Sequence, residues 1–337
     1  MSERPIGVVG AGSWGTTLAK ILGENGHRTL VWAFEEEVRD EINAEHRNSR
    51  YVPGATLDER VTATGDVCEV CSECTFMLMV VPSHVFRGVA NRMGERLNGE
   101  HVIVHGTKGI ERETFRRMSE VLREETCVRK IGVLAGPNLS RELADRQPAG
   151  TLIASKYDEV VALAQRYLPN DYFRVYGGHD VVGAEVGGAY KNIVAVAAGI
   201  VDGLELGDNT KALLLTRGLA EMARYGATLG AEVLTFGGMA GIGDLMATCA
   251  SPHSRNHQVG ERLARGESLS EIQDNMYMVA EGVKTARSVH SFARYKGLEL
   301  PIVHGVHDLL YEGKSVQTAI KELMTRDATR EFANMQV

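Results

Sequence analysis

Lys191 is the residue with the clearest chemistry. It sits in Gly187-Gly188-Ala189-Tyr190-Lys191-Asn192-Ile193-Val194-Ala195, where no acidic residue falls at helical distance. On a helix its neighbours three and four positions away are Gly187, Gly188, Val194 and Ala195. Small residues there let other backbone come close, and nothing local pairs the ammonium. An amine so placed is desolvated, its pKa is pushed down, and it exchanges protons near neutral pH. The competing expectation is a lysine that snorkels to the helix edge and keeps its charge in water.

A second constellation lies at the N-terminal end. The apolar run Ile6-Gly7-Val8-Val9 leads into Gly10-Ala11-Gly12-Ser13-Trp14-Gly15, followed by a helical pattern through Leu18, Ile21 and Leu22. G-x-G-x-x-G between a strand and a helix is a dinucleotide-binding pattern. Gly10 permits the tight turn, Gly12 lets a pyrophosphate approach the backbone, and Gly15 allows helix and strand to pack closely. The pyrophosphate then meets unpaired N–H groups at the helix start. Glu35 lies at the distance where an acid accepts from a ribose 2′-hydroxyl, and Phe34 is placed to stack on adenine. Glu35, Glu36 and Glu37 should repel a 2′-phosphate, which favours NAD over NADP. The same acids also suit the first turn of a helix.

Polar residues recur where strands give way to helices. Val80-Val81-Pro82-Ser83 ends one strand, with Ser83 as a candidate cap. Gly106-Thr107-Lys108-Gly109 and Gly136-Pro137-Asn138 follow two others. Ser251-Pro252-His253-Ser254-Arg255-Asn256 opens a later helix, where free N–H groups, a serine cap and the Arg255 fork suit an anion. An ordinary capped helix with a solvated arginine is the competing expectation.

These residues need elements to position them. Short apolar runs at Ile6–Val9, Thr29–Trp32, Phe76–Val81, His101–Val104, Ile131–Leu134, Thr151–Ala154 and Phe173–Tyr176 alternate with helical stretches such as Val85 to Leu97 and Glu113 to Glu125. That alternation predicts βαβ units and a mainly parallel sheet covered on both faces. From about Gly183 no strand is expected. Helical patterns dominate at Ala184–Gly203, Thr210–Leu229, after Ser254, and at Ser268–Met278, Ala286–Tyr295 and Val316–Leu323. The expected organisation is a dinucleotide-binding domain over 1–182 and a helical domain over 183–337.

Composition sets outer limits. A chain of 337 residues has room for two domains, and 44% hydrophobic with 24% charged residues is ordinary for a globular protein. A net charge of -7 disfavours nucleic acid as the main partner. The polar start from Met1 to Pro5 resembles no secretory signal, and no apolar stretch reaches the roughly 18 residues of a membrane helix, so a cytoplasmic protein is expected. Five cysteines, an odd number, do not suggest a disulfide framework. Cys68, Cys71 and Cys74 have metal-like spacing without a fourth ligand. They are expected to be small buried hydrophobes, and no metal centre is predicted.

Together the motifs resemble NAD(P)-dependent glycerol-3-phosphate dehydrogenase over nearly the full length. The resemblance is carried by Gly10-Ala11-Gly12-Ser13-Trp14-Gly15-Thr16, Val80-Val81-Pro82-Ser83, Gly106-Thr107-Lys108-Gly109 and Gly136-Pro137-Asn138. It continues with Gly188-Ala189-Tyr190-Lys191-Asn192, Gly207-Asp208-Asn209-Thr210-Lys211, Thr216-Arg217-Gly218-Leu219, Gly241-Ile242-Gly243-Asp244-Leu245, Ser254-Arg255-Asn256 and Glu281-Gly282. It implies a Rossmann-type N-terminal domain, a helical C-terminal domain that often mediates dimers, and interconversion of sn-glycerol 3-phosphate and dihydroxyacetone phosphate.

By the same resemblance Lys191 is the proton acceptor with Asn192 beside it. Lys108, Gly136, Asn138, Asp244, Ser254, Arg255 and Asn256 contact substrate. Ser13, Trp14, Phe34, Lys108, Ser140, Arg255, Val279 and Glu281 contact the cofactor, together with Gly10, Gly12 and Gly15 of the loop. Asn138, where threonine or serine is usual, Ser140 for a frequent alanine, and bulky Tyr190 depart from the commoner bacterial pattern.

The expected mechanism moves a hydride between nicotinamide C4 and substrate C2 in a cleft between the domains, while Lys191 carries the proton. Lys108 would lower the proton affinity of Lys191 and polarise the oxygen, with Asp244 balancing the pair. Arg255, Ser254 and Asn256 would hold the phosphate. Two alternatives remain at this point: a β-hydroxyacid dehydrogenase, whose substrate carries a carboxylate, and an NAD(H)-sensing module without turnover.

Overall fold

The computed structural model describes residues 4–276, 280–327 and 331. The chain folds into two compact units. One comprises residues up to Lys108 together with Arg117–Val181; the other comprises Gly109–Arg116 and the chain from Val182 onward.

The first unit is a Rossmann-type α/β layer structure. Its strands are β1 (Ile6–Val9), β2 (Thr29–Trp32), β3 (Val61–Thr64), β4 (Phe76–Met79), β5 (Val102–His105), β6 (Lys130–Ala135), β7 (Ala149–Ser155) and β8 (Phe173–Gly178). They form one eight-stranded sheet in the order β3-β2-β1-β4-β5-β6-β7-β8. Pairing is parallel except between β6 and β7. Its helices are α1 (Ser13–Glu24), α2 (Glu36–Glu45), α3 (Val67–Glu73), α4 (Ser83–Gly94), α5 (Met118–Glu125), α6 (Ser140–Ala144) and α7 (Asp158–Tyr167).

Strand side chains alternate between two cores, as the period-two pleat dictates. Phe76 and Leu78 of β4 join Leu18 and Leu22 of α1, Ile42 of α2 and Val160 of α7. Met77 and Met79 of the same strand join Val70 of α3, Phe86 and Met93 of α4 and Leu122 of α5. A sheet covered on both faces has nearly continuous apolar strands, which is why these runs stand out in the sequence.

Four local expectations need correction. β3 escapes the apolar-run criterion because Val-Thr-Ala-Thr alternates buried and open positions at the sheet edge. The expected helix over Glu113 to Glu125 begins only at Met118, since residues 109–116 leave the first unit and bury Ile110 in the second. Ser83 is the first helical residue of α4, with Pro82 in the cap position and no side-chain cap bond. Of the expected helix Ser268–Met278, the helix observed is the six-residue Leu269–Asp274, and residues 277 and 278 lie outside the described residues.

The second unit is helical, with no strand among its described residues. It contains α8 (Val181–Gly203), α9 (Asp208–Thr228), a 3-10 turn at Val233–Gly237, a π-helical turn at Met239–Gly243, α10 (Asp244–Ala250), α11 (Arg255–Ala264), α12 (Leu269–Asp274), α13 (Glu281–Lys296), α14 (Pro301–Tyr311) and α15 (Val316–Met324). Its core gathers Ile193 and Val196 of α8, Met222 and Tyr225 of α9, Leu245 of α10, Val289 and Phe292 of α13, and Val303 of α14. Proline at the first position of α14 is a helix-start signal that hydrophobic periodicity alone does not use.

Glycines set two close approaches around α8. A side chain at Gly187 would collide with the Ala240 carbonyl of the π-helical turn, and one at Gly260 of α11 would collide with the Val196 carbonyl. Close backbone packing at these points carries α10 and α11 up to Lys191. No helix among the described residues is long and apolar enough to cross a membrane.

Candidate active site

In the helical unit Lys191 is buried at 5% exposure, and Asp244 at 1%. The amine is dry but not unpaired, which corrects the expectation of an ammonium without a partner. It donates to Asp244 Oδ1 and, at 2.6 Å, to Thr248 Oγ1. Both partners lie on α10, one helical turn apart, so they share a face. Local spacing in α8 offers no acid. The acid arrives through tertiary packing, because the Gly187 approach brings the π-helical turn against α8 and Asp244 follows that turn directly. A buried ammonium of this kind needs both a counter-charge and hydrogen-bond acceptors, and α10 supplies them. Thr248 is a partner of the amine that the sequence motifs did not single out. Its spacing of four from Asp244 is the signal that could have found it.

Asn192, next along α8, accepts from Asn256 Nδ2 at 3.0 Å, and Asn256 Oδ1 accepts from the Gly282 backbone N–H at 2.8 Å. This relay ties α8, α11 and α13. It uses one carboxamide hydrogen and the oxygen of Asn256 for positioning. Ser254 caps α11, its hydroxyl accepting from His257 N at 3.4 Å, and no acid stands in the first turn. Arg255, the first residue of α11, remains exposed at the surface. The protein packed round its guanidinium nevertheless lowers its proton affinity, against the opposing pull of Glu281. A capped helix start with an arginine and no carboxylate in its first turn is suited to an anion.

In the sheet-bearing unit the remaining predicted residues follow the carboxyl ends of parallel strands. Gly10 follows β1 at φ 115°, and a side chain at Gly15 would collide with the Gly10 carbonyl. Around Gly12, at the N-cap of α1, there is open space, and no side chain caps the helix. Ser13 Oγ donates to the Tyr51 carbonyl at 2.9 Å, and Thr17 Oγ1 donates to the Ser140 carbonyl at 3.2 Å. After β5, Gly106 approaches the Trp14 indole so closely that a Cβ would stand 3.0 Å from Nε1. Thr107 Oγ1 donates to the Val81 carbonyl at 2.7 Å, joining the β4 and β5 loops just before Lys108.

After β6, Gly136 has φ 146°, and Asn138 Nδ2 donates to the Gly150 carbonyl at 3.0 Å. Asn138 Oδ1 is buried with no protein partner, an acceptor available to a bound molecule. After β2, Phe34 is 79% exposed. The Glu35 carboxylate accepts from the Tyr51 hydroxyl at 2.6 Å, while Glu36 and Glu37 occupy the first turn of α2. An uncapped helix start and an open glycine suit the pyrophosphate of a dinucleotide, and the exposed Phe34 ring offers a face for stacking. Val279 lies outside the described residues.

Of the cysteine triplet, Cys71 and Cys74 are buried as expected, while Cys68 is only partly buried. Cys71 and Cys74 are buried in the core beside α3, and burial pushes both thiols up to about 12.

Residues 5–161 match the family model described as NAD-dependent glycerol-3-phosphate dehydrogenase N-terminus, and residues 180–321 match the corresponding C-terminus model. The chain is 44% identical to a glycerol-3-phosphate dehydrogenase (NAD(P)+) of Bacillus cytotoxicus over 324 residues, 95% of each chain. It is 45% identical to the enzyme of the same name from Bacillus thuringiensis, with the same coverage. Among solved structures, the glycerol-3-phosphate dehydrogenase of Coxiella burnetii superposes with a TM-score of 0.92 at 37% identity, covering 96% of this chain and 99% of that one. D-mandelate dehydrogenase, at 11% identity and a TM-score of 0.61, shares the fold alone.

Proposed function

The chain belongs to the NAD-dependent glycerol-3-phosphate dehydrogenase family, an NAD(P)-dependent oxidoreductase family acting on a secondary alcohol, and from that premise we propose that it interconverts sn-glycerol 3-phosphate and dihydroxyacetone phosphate. The observation that carries this reading is the buried amine of Lys191, oriented by Asp244 and Thr248.

Bound nicotinamide supplies the hydride donor or acceptor. The chain's own task is to move the accompanying proton and to hold the substrate. In the reducing direction the Lys191 ammonium gives its proton to the oxygen at C2, and in the oxidising direction the amine takes it back. Asp244 stabilises the charge while it is present, and Thr248 fixes the direction of the N–H bonds. The Asn192–Asn256 relay keeps α8 and α11 in register. Ser254 and Arg255 hold the phosphate, whose binding energy, remote from the reacting carbon, orients C2. Lys108, Gly136 and Asn138 contact substrate on the family pattern, with Lys108 also polarising the C2 oxygen.

For the cofactor, the Gly10–Gly15 loop, Ser13 and Trp14 take the pyrophosphate end and Phe34 the adenine, with contacts from Lys108, Ser140, Val279, Arg255 and Glu281. Glu35, Glu36 and Glu37 favour NAD over NADP. The same reading has the protein working in the cytoplasm as a homodimer, supplying glycerol 3-phosphate for glycerophospholipid synthesis.

One spectrophotometric assay tests the proposal. NADH should be consumed with dihydroxyacetone phosphate, less efficiently when NADPH replaces it, and not with a 3-oxo acid. Turnover of a β-hydroxyacid pair alone, or NADH binding without turnover, would replace this reading by one of the two alternatives.

A further inference from the structure

Away from Lys191, α13 and α14 bring three imidazoles and a carboxylate together. The rings of His290 and His307 stack at 3.7 Å between centroids and 13° between planes. His304 meets His290 edge-on, with 3.0 Å between the two Nδ1 atoms. Ligand atoms of His290, His307 and Asp308 all lie within 4.8 Å of one another. Asp308 Oδ1 faces His307 Nδ1 at 3.4 Å. Its Oδ2 is held by Lys314 at 2.7 Å, and Lys314 is shared with Glu322 at 2.8 Å. Arg326, paired with Glu299, borders the same hollow, and Arg294 faces the imidazoles. A surface hollow lined by His304, Asp308, Lys314 and Glu322 gives access from solvent.

We propose that His290, His307 and Asp308 form a site for a borderline-soft divalent metal, Zn2+ or a close analogue, clipping α13 to α14. Two nitrogens and one carboxylate oxygen with an open fourth position are a familiar zinc donor set, and imidazole favours Zn2+, Ni2+ or Co2+ over the hard cations Mg2+ and Ca2+. Nitrogens on a tetrahedral zinc stand roughly 3.3 Å apart, given bonds of about 2.0–2.1 Å. In the stacked arrangement the two rings' lone pairs lie in near-parallel planes, so closing onto one ion requires both side chains to rotate. His304 is the outer partner. With the shared proton on His290 Nδ1, that ring is oriented and its Nε2 lone pair is left for the metal. His304, His307 and Asp308 follow the i, i+3, i+4 spacing that places side chains on one helical face. This site does not depend on the dehydrogenase reading.

The test titrates the full chain, stripped with a chelator, with Zn2+ by calorimetry and with Co2+ by visible absorption. About one equivalent per chain should bind at micromolar affinity or tighter, with cobalt d–d bands and no intense near-ultraviolet thiolate band, since the chain also carries free cysteines. Asp308→Asn and His307→Ala should each weaken binding at least tenfold, and His179→Ala, in the other unit, should leave it unchanged. Asp308 borders the hollow, so Asp308→Asn decides the matter should His307→Ala fail to fold. Absence of stoichiometric binding to the wild type, a thiolate-dominated cobalt spectrum, or full affinity in Asp308→Asn would each overturn the proposal.

Discussion

At residue 191 a stretch of helix with no acid within one turn receives one from 53 positions downstream, and a threonine hydroxyl with it. The two partners do different work. Asp244 balances charge in a place water barely reaches, whereas the neutral Thr248 hydroxyl accepts from the amine and donates to Asp244 Oδ1 at 3.5 Å. Thr248→Val keeps the shape and removes the acceptor, so kcat should fall by roughly 10- to 100-fold, the effect of about 1–3 kcal/mol at a buried donor, with little change in KM. Arg255→Ala should do the reverse, raising KM for the phosphorylated substrate on the order of 100-fold through lost charge-assisted bonds while kcat changes less. Steady-state kinetics on the two variants separates these roles, and a Thr248→Val enzyme with normal kcat would remove the threonine from the account. The burial of Lys191 was legible because the residues a turn away from it are small or apolar. The pairing was not, because it is a product of packing and leaves no local pattern.

Among elements, α8 organises the helical unit. It is buried nearly from end to end, and small residues along it set how closely its neighbours approach. Gly187→Ala places a methyl group against the Ala240 carbonyl, an overpacking expected to cost about 1–3 kcal/mol. The π-helical turn and Asp244 must then shift, so both kcat and the melting temperature should fall. Gly88→Ala is the control. It lies in α4 with open space around it and should raise stability slightly. Thermal melts and kcat on both variants check the pair, and a Gly187→Ala enzyme with unchanged kcat and melting temperature would contradict the packing argument. Gly187 and Gly188 beside the lysine announced a close approach in the sequence, but not which backbone makes it. β3 stayed hidden because an edge strand alternates buried and open residues, and the antiparallel turn at β7 hid because a buried strand has the same apolar run in either direction.

On the scale of the whole molecule, stability in the helical unit is linked to pH through Glu221. This carboxylate is buried on α9. It accepts from Tyr190 Oη at 3.0 Å and from the Ile302 and Val303 N–H groups at 2.8 and 3.4 Å, tying α8 to the start of α14. Burial pushes its pKa up to about 7, further than these hydrogen bonds pull it down. A carboxyl whose folded pKa lies above its unfolded value binds more protons when folded, so stability is greatest below about pH 4.5 and falls as pH rises towards 7. The loss should approach about 3 kcal/mol. Denaturant unfolding of the helical unit between pH 5 and 8 should show this slope in the wild type and a flatter profile in Glu221→Gln, and equal slopes would contradict it. The division into a sheet-bearing and a helical unit was visible in the change of hydrophobic period near Gly183. Attachment of residues 109–116 to the helical unit was not, since eight residues carry no period of their own.

The most direct test of the central claim measures NADH oxidation by dihydroxyacetone phosphate in Lys191→Ala beside the wild type, at saturating cofactor. Loss of a positioned proton carrier should lower kcat by about two to four orders of magnitude while NADH binding, followed by fluorescence, stays intact. A folded Lys191→Ala enzyme that turns over like the wild type would contradict the account.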